Sequence, residues 1–292
     1  MRINLLFLLA AVSLLSCNST DDNLPSQGPH LIFKFEFDEN QARLDNFGQP
    51  ASIPVGHAAQ TPEFRAISAH YLELAPTAFT PLGSGDILYK GPETTAGGAV
   101  AVDFDQANVV QEGDVFLSVP ISEVDPGVYE WVRLSLTYQS YDIALSSADF
   151  DGTGTIASFV GFNTYISDLQ VRNKTLAVHD DKLQGFWAFE VHDENLPVDV
   201  ALLSGEAAHT TVPNPIATTS PVPPGSCVVT GTFVDGAFEI TGDEGEDVVI
   251  TLSVSVNQSF EWEDDNGNGK YEPSEGERVV DMGLRGLQVE VE

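Results

Sequence analysis

Short runs in which apolar and polar residues alternate recur along this chain. Residues 31–37 (LIFKFEF), 115–119 (VFLSV) and 128–138 (VYEWVRLSLTY) follow a period of two, as strands with one buried face do. Residues 185–191, 198–203, 228–233 and 248–256 repeat the pattern with many β-branched side chains, which suit a pleated surface. Helical periodicity is scarce, and its best candidate is the short segment 61–71. With 25 Gly and 17 Pro punctuating brief strands, the expected class is all-β. The expected architecture is an antiparallel β-sandwich, as one large unit or two smaller ones.

Breaks in this pattern suggest how the chain is divided. Residues 1–16 read as a leader and 17–29 as an acidic tether. A β-sandwich domain is expected over 30–145. Residues 146–292 form a second β domain or continue the same sandwich. The stretch 144–154 has loop chemistry and is one candidate boundary. A Pro/Thr-rich segment at 210–225 (TTVPNPIATTSPVPPG) serves equally as a linker or as a long loop between strands.

The leader carries Arg2 and then an apolar run over 5–15, about half of the roughly 20 residues that a membrane-spanning helix needs. It reads as an export signal. Leu14-Leu15-Ser16-Cys17 resembles the bacterial lipobox, and that resemblance implies a lipidated Cys17 as the first mature residue. The other reading is an ordinary secretory leader with a chance cysteine. Asn18-Ser19-Thr20-Asp21-Asp22-Asn23 resembles the acidic export signal of Bacteroidota surface lipoproteins. Together these imply an outer-membrane lipoprotein exposed at the cell surface, held by acyl chains.

Charge narrows the partners. The chain has 44 acidic and 12 basic residues and a formal net charge of −32, and removal of the leader takes away Arg2 and no acid. Such a surface repels phosphate backbones, which excludes nucleic acid as a partner. Most of these carboxylates read as a hydrated surface. If Cys17 is lipidated, Cys227 is left alone in a β-branched run and reads as a structural thiol, with no internal disulfide.

One acidic stretch has ligand spacing. In DDNGNGKYEPSE, residues 264–275, the pattern D-x-[DN]-x-[DN]-G-x5-E is met by Asp264, Asn266, Asn268, Gly269 and Glu275. Calcium takes six to eight oxygens, and this spacing offers the side chains of Asp264, Asn266 and Asn268. The Lys270 carbonyl, Glu272 directly or through water, and a bidentate Glu275 complete the set. The twelve residues resemble EF-hand and dockerin-type loops. A strand-like 250–260 precedes them and Pro273 sits within them, so the expectation is a structural Ca2+ without the helix pair of a sensor. The other reading is an Asn-Gly turn without an ion. The loop at 149–154 is a weaker candidate that lacks a closing acid.

Other chemistry is sparse. The histidines (30, 57, 70, 179, 192, 209) show no spacing that marks a transition-metal site. Trp131, Trp187 and Trp262 offer either a sugar-stacking platform or core packing. No GxSxG, HExxH, P-loop or GxGxxG is present, so no enzyme activity is expected. Three stretches, 33–38, 64–74 and 124–129 (VDPGVY), are similar in order to the methanobactin-associated periplasmic copper-binding family. That resemblance implies a secreted β-sandwich and keeps copper binding as the alternative, with no metal ligand matched residue by residue. The main expectation is a lipid-anchored surface protein that carries Ca2+ and binds an external glycan, metal or protein. A carbohydrate-active enzyme is the third reading.

Overall fold

The computed structural model describes residues 28–44, 49–148, 150–207 and 227–292. The leader, Cys17 and nearly all of the tether lie outside the described residues, as do His209, Asp149 and the Pro/Thr-rich segment. The described chain is all-β and sandwich-like, with several sheets packed against one another. No described helix is long and apolar enough to cross a membrane.

The N-terminal part contains β1 (His30–Asp38), β2 (His57–Gln60), β3 (Glu63–Ala75), β4 (Asp86–Lys90), β5 (Glu93–Thr94), β6 (Ala101–Asp103) and β7 (Val115–Pro120). The middle holds β8 (Gly127–Tyr129), β9 (Trp131–Ser147), β10 (Phe150–Phe159), β11 (Thr164–Gln170), β12 (Thr175–Lys182) and β13 (Phe186–Val191). A helical turn, α1 (Val198–Ala201), leads into β14 (Leu202–Glu206). The rest comprises β15 (Cys227–Phe233), β16 (Phe238–Ile240), β17 (Val248–Ser255), β18 (Phe260–Glu263), β19 (Val279–Met282) and β20 (Leu287–Val291).

The largest sheet runs β14-β13-β10-β9-β15-β20-β17-β1-β7, with β3 on the far side of β9 and β4 beyond β3. Most pairs are antiparallel, but β1 with β17 and β15 with β20 are parallel. In β1 the predicted alternation holds, with Leu31, Phe33 and Phe35 buried and their neighbours half-buried. Those side chains share the largest core with Leu72 and Leu74 of β3, Val132 and Leu134 of β9, and Ile250 and Leu252 of β17. Strands far apart along one sheet meet in one core, so the sheet curls over to make both faces of a sandwich. A second core gathers Phe159, Ile166, Leu169 and Phe186 under the small sheet β12-β11-β6-β5. At the turn before β9, the Tyr129 hydroxyl donates to the Asp125 carbonyl at 2.7 Å, a tyrosine corner of the kind that sandwiches use.

Three local expectations are corrected. Segment 61–71 is not helical: from Glu63 on it belongs to β3, which pairs with β9. Residues 67–75 are buried on both faces, and register shifts near Phe64, Ser68 and Ala69 change the phase of the side chains, which hides the period of two. Segment 198–203 is only partly a strand. Pro197 starts a helical turn there, with the Ala201 amide donating to the Pro197 carbonyl at 2.8 Å, before β14 begins. The loop-like stretch 144–154 is a hairpin in which β9 and β10 pair from Ser147↔Phe150 onward.

Candidate metal centre

The loop with ligand spacing joins two antiparallel strands, β18 and β19, of the small sheet β19-β18-β2. Phe260 and Trp262 of β18 lie in a third core with Tyr141, Ile143 and Ile156 of the β9–β10 hairpin. Tyr271 inserts from the loop into this core, its ring centroid 5.1 Å from that of Phe260 and 5.6 Å from that of Trp262. At the root the Asp264 amide donates to the Gly56 carbonyl at 2.9 Å. At the far side the Ser146 amide donates to the Tyr271 carbonyl at 2.8 Å, and Lys270 Nζ lies 3.3 Å from Asp151. The loop is therefore tied at its start to the turn before β2 and at its middle to the β9–β10 hairpin.

Inside it, the short side chains turn back on the backbone. Asp264 accepts from the Asn268 amide at 3.2 Å and the Gly269 amide at 3.0 Å. Asn266 Oδ1 accepts from the Asn268 amide at 2.9 Å, and Asn268 Oδ1 from the Lys270 amide at 2.7 Å. Gly269 makes the tight turn with φ of 73°, where a side chain would be strained. Glu272 Oε2 accepts from both amide side chains, at 2.6 Å from Asn266 and 2.7 Å from Asn268. Asp264, Asn266, Asn268 and Glu272 are thus gathered around one turn, next to the Lys270 backbone.

Glu275 takes no part in these hydrogen bonds. It sits exposed on a 3-10 turn, Pro273–Glu275, and among the described residues its side chain makes no hydrogen bond or ion pair. Two residues later Glu277 is buried, at 6% exposure. Its Oε2 accepts from the Glu272 amide at 2.6 Å, while Oε1 has no partner. Burial raises the pKa of this carboxyl, the Glu272 amide opposes the rise, and the charges of Asp264, Glu272 and Asp265 add to it. Burial, and then the Glu277 charge, push Tyr271 up to about 12. Glu277 is thus tied to the loop through the Glu272 amide. The fixed-length pattern passed over it, and the one signal for it was the Gly276-Glu277 pair just beyond the match.

Among the described residues no group of three or more His, Cys, Asp or Glu is placed to hold a metal ion by itself. The loop's remaining donors are asparagine and main-chain oxygens, hard ligands of the kind Ca2+ accepts. Beside the loop is a hollow of about 340 Å³, lined by Gln60, Ser146, Asp151, Trp262, Lys270 and Tyr271 among others.

The other candidates are dispersed. His70 is buried, with Nδ1 3.3 Å from the Thr137 hydroxyl and its ring 6.2 Å from that of Phe162. His57 meets Glu261 at 2.6 Å, His192 meets Thr155 at 2.7 Å, and His179 lies exposed 3.7 Å from Asp168. The described histidines thus have separate partners on separate elements. Asp151, from the weaker loop, lies in β10 and is bound to Ser146 and Lys270. Trp262 is 1% exposed, so the three tryptophans do not form a stacking platform. Burial, with Asp281 adding, pushes the Cys227 thiol up to about 11, an inert thiol rather than a nucleophile.

Sequence reasoning also missed a buried ionic group behind β18. Glu261 faces Arg43, His57 at 2.6 Å and Arg285 at 3.8 Å, and Arg285 pairs with Asp281 as well. Arg43 and Glu261 are 218 positions apart, so no local spacing could join them. No protein family, no curated protein and no solved structure matches this chain.

Proposed function

We propose that this chain is a lipid-anchored, surface-displayed β-sandwich binding protein whose β18–β19 connection holds a structural Ca2+. The observation that supports it is the loop itself, where Asp264, Asn266 and Asn268 alternate and, with Glu272 four residues later, gather around one turn. In the ion-bound form, Glu272 exchanges its two amide donors for the cation, and the amide oxygens and the Lys270 carbonyl join it. The ion offsets repulsion among Asp264, Asp265, Glu272 and Glu277, and so holds Tyr271 in the third core. The hollow between loop and hairpin, with Lys270 and Asp151 on its wall, is where that order would shape contact with an outside partner. Anchoring through Cys17 and display outside the cell rest on the leader and the tether.

Calcium titration of the chelated protein by calorimetry, with thermal melting in parallel, is the test. Saturable binding is expected, together with a stabilisation of about 2.7 kcal/mol when free calcium is 100 times the dissociation constant. Asp264→Ala should remove both responses. A chelated protein whose heat signal and melting temperature ignore calcium would refute the reading.

A further inference from the structure

Which acid closes the loop is decided by the path of the chain after Glu272. The twelve-residue pattern ends at Glu275, but the 3-10 turn Pro273–Glu275 carries that residue out into solvent. Gly276, with φ of 96°, then reverses the chain in a conformation that a side-chain-bearing residue rarely adopts. The first residue to return is Glu277, and it returns buried. One of its oxygens is fixed by the Glu272 amide and the other has no donor, in a place already negative from Asp264, Asp265 and Glu272. An unpaired carboxylate oxygen, nine-tenths buried among other acids, is costly unless a cation supplies the missing charge.

We propose that Glu277, and not Glu275, is the closing carboxylate of the cation site, so that the loop runs from Asp264 to Glu277 and is two residues longer than its motif. This rests on the calcium reading above. It assigns the turn 273–275 the role of a spacer that brings the later acid home. The Glu272 amide holds Oε2 and leaves Oε1 without a donor, available to the ion, and on binding Asp264, Glu272 and Glu277 draw together around it. The ligand class is a hard divalent cation that tolerates irregular oxygen geometry, which Ca2+ does and Mg2+ does not.

Glu277→Gln and Glu275→Gln, each compared with the unsubstituted protein in calcium calorimetry and in melting with excess chelator, separate the possibilities. Glu277→Gln keeps an oxygen for the Glu272 amide and removes one buried negative charge. It should weaken calcium binding by at least about 10-fold while raising the melting temperature of the chelated protein. Glu275→Gln should leave affinity within about twofold, as an exposed non-ligand does. The rise in chelator is the readout that a merely structural glutamate would not give. Loss of binding in Glu275→Gln with retention in Glu277→Gln would overturn the assignment alone. A Glu277→Gln protein that binds calcium normally would do the same. Failure of the unsubstituted protein to bind would overturn the calcium reading beneath it.

Discussion

Glu261→Ala is expected to cost about 3–5 kcal/mol of stability, the loss typical when one partner of a buried ion pair is removed. Arg43 and Glu261 side chains are each 6% exposed and in direct contact, and Arg285, at 11%, lies 3.8 Å from the same oxygen. Taking away the carboxylate leaves the Arg43 guanidinium with the Gln258 carbonyl and little else, since its Nε already has no partner. Arg285 keeps Asp281 and so suffers less. The pair also ties residues 41–44 to β18, so its loss loosens the strand from which the 264–275 loop leaves. Urea denaturation with an unchanged slope would report this as a lower midpoint. A loss under about 1 kcal/mol, the size of an exposed ion pair, would show that Arg43 finds water or another acid.

Acid should destabilise the protein through His70, and His70→Gln should remove that component. Burial, with the Lys90 charge adding to it, lowers the imidazole pKa from 6.5 to about 4. Between those values the unfolded chain holds the proton and the folded one does not. Stability therefore rises with pH through the window, and falls by about 3 kcal/mol in all as pH drops from above 6.5 to below 4. Glu277, Asp281 and Asp86 have raised carboxyl pKa values and contribute the opposite slope, but they are common to both proteins. The measurement is thus the difference in unfolding free energy between the two proteins at pH 7 and at pH 4.5. It should change in favour of the variant by most of that amount. An equal difference at the two pH values would mean that the imidazole is protonated inside the fold.

Sequence reading succeeded where one face of a strand meets the core and failed where both do. β1 shows its alternation because Leu31, Phe33 and Phe35 are buried against half-buried neighbours. β3 carries Ser68, His70 and Glu73 among its buried residues, and its register shifts break the phase, so a paired central strand resembled a short helix. The acidic loop stood out at Asp264, Asn266, Asn268 and Glu272 because its contacts are local. Glu277 lies outside the fixed-length pattern, beyond the turn Pro273–Glu275, so its spacing did not mark it. The Glu73 carboxylate, fully buried and accepting from Tyr71 at 2.8 Å and the Gly85 amide at 2.6 Å, had no sequence signal at all. Long-range polar partners leave no period in the chain.

The position of β20 governs the order of assembly. It lies between β15, its parallel neighbour, and β17, its antiparallel one, and is the only path in the large sheet from β9 and β15 to β17, β1 and β7 among the described residues. β1, in turn, waits for β17, with Leu31 opposite Val248. As the chain emerges from its N-terminus, the hairpin of β9 and β10 can form early, but the two halves of the sheet stay unjoined until residues 287–291 arrive. Such distant pairings make closure of the sheet slow. The delay leaves the β15 side of β9 and the β17 side of β1 bare until those strands are made, the interval in which this chain is most exposed to mispairing with another copy.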